Sequence, residues 1–264
     1  MGKPLKALIL LVFLFSLTLP AAAEVPIYTY QIVARYPHNI ASYTQGLEFH
    51  DGFLYEGTGR NGRSTLSKIN LEDGQVLQSK RLASRYFGEG ISIVGERIFQ
   101  LTWQSNIVFV YDLNSFETLT SYYHPTEGWG LTFDGEQLIL SDGSANLQFI
   151  DPETFQVLRS VEVTLEGRPI RNLNELEYIN GEVWANVWMT NEIVRIDPAT
   201  GTINSVLDLN GLIDQTSTGG SDGVLNGIAW IPNSAPDASA GSGRLFVTGK
   251  LWADLFEIEI AIAE

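Results

Sequence analysis

The sequence predicts an all-β protein: a five-bladed β-propeller, with four antiparallel strands per blade and a ring closed by the N-terminal strand. Three observations predict it. One short phrase recurs five times, each copy runs through a turn into a second strand, and the two chain ends supply complementary parts of one incomplete unit. Four antiparallel strands about every 40–50 residues is the pattern of a propeller blade. A β-sandwich leaves that period unexplained.

The phrase reads QGLEF (Gln45–Phe49), EGISI (Glu89–Ile93), WGLTF (Trp129–Phe133), NELEY (Asn174–Tyr178) and NGIAW (Asn226–Trp230). Its second residues, Gly46, Gly90, Gly130, Glu175 and Gly227, are 44, 40, 45 and 52 positions apart. Within each copy the residues alternate with period two, so Leu47 and Phe49 point one way and Glu48 the other. Turns such as Asp51-Gly52 and Asn180-Gly181 favour tight hairpins into the second strands FLYEGTG and EVWANVW. The Asp-Pro-x-Thr stretches at Asp151 and Asp197 are turn chemistry. Two polar stretches, Asp214–Gly223 and Pro232–Gly243, read as surface loops.

The last copy ends without a fourth strand after ADLFEIEIAIAE, whereas Ile27–Pro37 is an extra strand ahead of the first copy. Pairing the two closes the ring and removes an open edge. Before that strand, Lys3 and Lys6 precede an apolar run from Ala7 to Leu19, and Ala21 and Ala23 fit a small-residue cleavage site. The run falls short of the ~20 residues that span a bilayer. Residues 1–23 are therefore read as a cleaved signal peptide and 24–264 as one five-bladed β-propeller domain, periplasmic or secreted and free of the membrane after cleavage.

Composition excludes several classes. The 264 residues carry 16 Lys+Arg against 31 Asp+Glu, a net charge of −15, which disfavours a nucleic-acid binder because phosphates need clustered cations. There is no Cys, which removes disulfide scaffolds, zinc fingers and thiol nucleophiles. The three histidines show no metal-ligand spacing.

In a propeller the inner strand of each blade starts at one mouth of the channel, and its neighbour ends there. That geometry brings Gln45, Glu89, Trp129, Asn174 and Asn226 together with Trp103, Asp142, Trp188 and Lys250. Trp184, Trp230 and Trp252 are assigned to the core instead.

The phrases YTQGLEF, RYFGEG, QLTW, EGWGL, SDGS, LNELEYING, NVW, DLNGL, LNGIAW and VTGKLW run through essentially the whole mature chain. In them it resembles the plant-and-bacterial type of glutaminyl-peptide cyclotransferase, a five-bladed propeller family of acyltransferases that converts an N-terminal glutamine to pyroglutamate and releases ammonia. The resemblance implies a site of Tyr43, Gln45, Phe87, Glu89, Trp103, Trp129, Asn174, Trp188 and Lys250, with Tyr43 standing where the family often has Phe. Glu89 is expected to shuttle the proton, Lys250, Asn174 or Gln45 to meet the developing oxyanion, and the aromatic residues to hold the substrate. Peptides or proteins beginning with Gln are the expected partners and a monomer the expected state. No cofactor is required, and a structural calcium ion is compatible with this expectation. Two other classes compete. A calcium-dependent hydrolase or lactonase would use Gln45, Glu89, Asn174 and Asn226 as a cradle, which the neighbouring Lys250 opposes; a non-catalytic propeller would bind a peptide or sugar through its indoles.

Overall fold

The computed structural model describes residue 2 and residues 24–262, apart from 234, 236–238 and 240. The expected signal peptide thus lies outside the described residues. A long strand β1 (Ile27–Pro37) is followed by a four-stranded antiparallel sheet of β2 (Thr44–His50), β3 (Phe53–Thr58), β4 (Thr65–Ile69) and β5 (Val76–Arg81). A second such sheet holds β6 (Gly88–Val94), β7 (Arg97–Thr102), β8 (Ile107–Asp112) and β9 (Thr118–Tyr123). The third holds β10 (Leu131–Phe133), β11 (Leu138–Ser141), β12 (Asn146–Ile150) and β13 (Val157–Glu162). A small hairpin, β14 (Thr164–Leu165) with β15 (Arg168–Pro169), comes next and has no counterpart in the sequence reading.

The remaining strands are β16 (Leu173–Ile179), β17 (Glu182–Val187), β18 (Glu192–Ile196), β19 (Ile203–Asp208), β20 (Leu225–Pro232), β21 (Gly243–Gly249) and β22 (Asp254–Ile262). Here the structure differs from separate four-stranded units. These strands and β1 form one eight-stranded sheet, in the order β16-β17-β18-β19-β1-β22-β21-β20. The join is short: β1 meets β19 in parallel only at Ile27↔Val206 and Tyr28↔Leu207. β19 meets the edge of β1 opposite its main partner. That main partner is β22, paired antiparallel from Tyr28↔Ile262 to Pro37↔Asp254, so the two ends of the chain do lie side by side.

Local chemistry explains the hairpins. Asp51 and Asn180 adopt φ of 46° and 51°, and the following Gly52 and Gly181 adopt 86° and 90°. Two successive positive φ values define the type I′ turn, whose twist matches the flanking strands. The Asp151 carboxylate accepts the N–H groups of Glu153 and Thr154 at 2.7 and 2.9 Å, as turn chemistry requires. In the last hairpin Gly243 pairs with Pro232 in the ladder, so the connection from β20 to β21 runs between those two residues.

Apolar residues collect between neighbouring four-stranded groups. One cluster packs Phe99 and Leu101 on Leu131 and Leu140, another Tyr55 and Leu66 on Ile91 and Ile98, and a third Leu47 and Leu54 on Ala229 and Phe246. Trp184 and Trp252 lie in the cluster joining β16–β19 to β20–β22, and Trp230 packs against it. Truncating such fully buried side chains to Ala costs roughly 2–5 kcal/mol each.

The innermost strands contact one another in the cycle β2, β6, β10, β16, β20 and back to β2. Backbones crowd there: a methyl on Gly46 would strike Ile91 N, and one on Gly130 the Asn174 carbonyl. The recurring glycine keeps those strands close enough for their first residues to share one mouth.

Candidate active site

Backbone pairing sets the site. Gln45, Glu89 and Asn174 stand near the starts of β2, β6 and β16, while Trp103, Trp188 and Lys250 directly follow β7, β17 and β21. Trp103 N–H donates to the Phe87 carbonyl at 3.0 Å, Trp188 N–H to Asn172 at 2.8 Å and Trp129 N–H to Ser141 at 3.0 Å. Each bond holds a strand end beside the opening of its neighbour. Tyr43, Gln45, Phe87, Glu89, Trp103, Trp129, Asn174, Trp188 and Lys250 together line a single cavity of about 220 Å³. That is below the roughly 300–1,000 Å³ of drug-sized sites, so it suits one terminal residue better than a whole ligand.

Two members of the channel-mouth list lie elsewhere. Asp142 accepts hydrogen bonds from Gln148 Nε2 at 3.1 Å and Ser144 N–H at 3.0 Å, outside the cavity lining. Asn226 sits behind Gln45: its Nδ2 donates to the Thr44 carbonyl at 2.9 Å and to Gln45 Oε1 at 3.3 Å. Gln45 in turn donates from Nε2 to Glu89 Oε1 at 3.1 Å. Asn226 thereby orients an amide that orients the carboxylate.

Glu89 is only 4% exposed and Lys250 only 3%, so neither is a solvated or snorkelling side chain. Burial pushes the Glu89 carboxyl well above the usual range; Lys250 opposes that shift and Glu127 adds to it. Burial lowers Lys250 to about 8, against the pull of Glu89 and Asp222. The two groups are thus drawn toward a neutral acid and a titrating amine. Among the described residues neither Lys250 Nζ nor the Asn174 amide has a protein hydrogen-bond partner, which leaves both to a bound molecule. The Lys250 Nζ lies 5.0 Å from the Tyr43 ring centre, and the Arg60 guanidinium lies 4.4 Å from it.

The aromatic wall is a chain of edge contacts. Tyr43 meets Phe87 at 6.1 Å between ring centres, Phe87 meets Trp103 at 5.5 Å, and Trp129 meets Trp188 at 5.5 Å. Glu127 fixes two of these rings by accepting Trp103 Nε1–H at 2.7 Å and Trp129 Nε1–H at 3.0 Å, with Gln104 Nε2 at 2.9 Å. Burial acts to raise Glu127, but these donors outweigh it and hold the carboxyl below its ordinary value. The sequence reading missed Glu127 although it opens the EGWGL phrase. Its place beside the Trp that starts a repeat was the available signal. The Asp214–Gly223 stretch, read as a plain surface loop, also reaches the site, because Asp222 pairs with Arg60 above Tyr43.

Over residues 6–260 the chain matches the family described as glutamine cyclotransferase. The chain belongs to the glutamine cyclotransferase family. A curated glutaminyl-peptide cyclotransferase of Arabidopsis thaliana is 41% identical over 234 residues, spanning 87% of this chain and 71% of the relative. The crystal structure of Myxococcus xanthus glutaminyl cyclase superposes with a TM-score of 0.81 at 36% identity, covering 91% of this chain and all of that one. The glutamine cyclotransferase fold is therefore all-β and propeller-like in this chain.

Proposed function

We propose that this chain is a glutaminyl-peptide cyclotransferase acting on peptides and proteins with an N-terminal glutamine. The observation that carries the reading is the cavity itself: one buried carboxylate, one buried amine, two amides and five aromatic rings around a space for a single residue. The reaction is intramolecular, so the enzyme gains by holding the reactive conformer in place. The rings of Phe87, Trp103, Trp129 and Trp188 hold the aliphatic part of the glutamine and exclude water.

The substrate ammonium enters beside Glu89, and its charge favours the carboxylate form there. Glu89 takes one ammonium proton, and the freed amine attacks the γ-carboxamide carbon. A C–N bond closes the five-membered ring, and the carbonyl oxygen gathers negative charge. Lys250 and the Asn174 amide, both without protein partners among the described residues, are the donors for that oxygen. Glu89 then returns its proton to the amide nitrogen and the C–N bond to it breaks. The surplus proton on the ring nitrogen departs with the ammonia as ammonium.

Among the described residues no three His, Cys, Asp or Glu side chains are gathered as metal ligands. Glu89 is the one carboxylate of the cavity lining, and Lys250 beside it repels a cation. That donor set favours cofactor-free proton chemistry over a calcium-dependent hydrolase. Five four-stranded blades are the natural reading of the innermost cycle, with the β1–β19 contact as a seam between two of them. Export by a signal peptide at residues 1–23, a single domain and a monomeric state complete the proposal.

The reading is tested with a Gln-initiated peptide and its Nα-acetylated form, each with and without EDTA. The free peptide should lose one ammonia in either condition and the acetylated one should not react, because its nucleophile is blocked. Turnover that EDTA abolishes and added metal restores would contradict it.

A further inference from the structure

We propose that the buried pair of His38 and Glu56 is a positioning device for Lys250, clamping the turn that carries this amine onto the segment that carries Tyr43 and Gln45. The inference rests on the cyclotransferase reading for its activity arm alone. His38 follows β1, Glu56 lies on β3, and their side chains are 3% and 2% exposed. His38 Nε2 meets Glu56 Oε1 at 3.0 Å, while Nδ1 meets the Trp252 carbonyl at 2.7 Å. Glu56 is further held by Ser42 Oγ–H at 3.0 Å and Thr44 Oγ1–H at 2.7 Å. The same residues also join through their backbones: Leu251 N–H donates to Ser42 at 2.6 Å and His38 N–H to Ala253 at 2.9 Å.

A full clamp is needed because the turn is strained. Leu251, next to Lys250, is buried yet adopts a φ of 60°, the left-handed region that a non-glycine residue avoids. Such a residue keeps that conformation only when its surroundings over-determine it. Burial opposes a charge on His38, but Glu56, the Trp252 carbonyl and Asp254 outweigh it and hold the imidazole above its ordinary pKa. Burial likewise acts to raise Glu56, and His38, Thr44 and Ser42 hold it below its own. Each partner favours the charged form of the other, and the pair is internal, 18 residues apart in sequence and outside the cavity lining. Lys250 itself faces Glu89, Asp222 and the Tyr43 ring.

The experiment follows Lys250 Nζ by NMR titration and kcat and KM on a Gln-initiated peptide, in wild type, His38→Ala and His38→Asn, with folding checked by circular dichroism. Wild-type Lys250 should titrate near 8. In His38→Ala the released turn admits water, so the titration should move up toward the ordinary lysine value of about 10.4. A displacement of about 1 Å is worth roughly 10²-fold, and the loss should fall on kcat more than on KM. His38→Asn keeps a donor near the Nδ1 position for the Trp252 carbonyl and should recover part of both. If His38→Ala does not fold, His38→Asn decides by the same two readouts. A folded variant whose Lys250 titrates as in wild type and whose kcat is unchanged overturns the clamp. Wild-type protein without turnover would sink the cyclotransferase reading instead, and the titration would still decide the clamp.

Discussion

Glu89 and Lys250 show how a pair of buried groups can be set for proton transfer by their surroundings alone. The cavity denies water to both, so the carboxyl rises and the amine falls. Activity that needs the Lys250 ammonium should decline as pH rises through about 8, and the acid limb should lie above the ordinary carboxyl range. Both limbs belong to the coupled pair. A pH–rate profile checks this: Lys250→Met should lower kcat and remove the alkaline limb, and a limb that persists would assign it to another group. Glu127→Ala should raise KM and lower kcat together, since two indoles lose their common acceptor, and steady-state kinetics on a Gln-initiated peptide test that. The nine cavity residues were legible because seven of them sit at fixed positions of the repeat, with the family phrases adding Tyr43 and Phe87. Glu127 was not, because its role comes from accepting N–H groups of rings on different sheets, and no spacing rule encodes that.

At the scale of the strands, the fourth residue of three of the five phrases links its inner strand to the next one. Glu48 accepts Ile93 N–H at 2.9 Å, Thr132 accepts Tyr178 N–H at 2.9 Å and Glu177 accepts Trp230 N–H at 3.1 Å. Period-two alternation showed that these side chains point away from the apolar face. It could not show that a neighbouring backbone donor awaits them. Thr132→Val keeps the shape but orphans a buried N–H, which costs about 1–3 kcal/mol. Thermal melting should drop by several degrees for Val and by much less for Thr132→Ser; equal melting of both would deny the link. The β14–β15 hairpin and the inner side of Asp214–Gly223 escaped the sequence reading for a similar reason. Polar, Gly-rich segments carry no periodicity, and their placement is decided by tertiary partners such as Arg60.

Across the whole molecule, the pairing of the N-terminal strand with β22 was legible because each end lacked a partner. The merging of two four-stranded groups through β1 and β19 was not, since it rests on only two residues of β1, Ile27 and Tyr28, meeting β19 along the edge opposite β22. The inner cycle also encloses three carboxylates, Glu48 half-buried and Glu175 and Glu177 buried, and Glu175 reaches across it to accept Leu47 N–H at 3.1 Å and Ile228 N–H at 2.8 Å. Burial raises Glu48 to about 8 and raises Glu175 and Glu177 well above the ordinary range. The folded state therefore holds protons that the unfolded chain has released, and stability should fall as pH rises through about 8. Melting curves from about pH 6 to about pH 9 should show that decline, and Glu48→Gln should flatten it; a melting temperature that rises over the same range would contradict the protonated axis. The central claim is that this fold gathers a carboxylate, an amine and a ring-lined cavity to cyclise an N-terminal glutamine. Its most direct test is ammonia release from a Gln-initiated peptide by wild type and Glu89→Gln side by side. Glutamine at this position can still accept from Gln45, so the variant should fold as well as wild type, bind with little loss and turn over roughly 10²–10⁴-fold more slowly. Near-normal turnover by Glu89→Gln would contradict the account and leave Glu89 as a buried structural carboxyl.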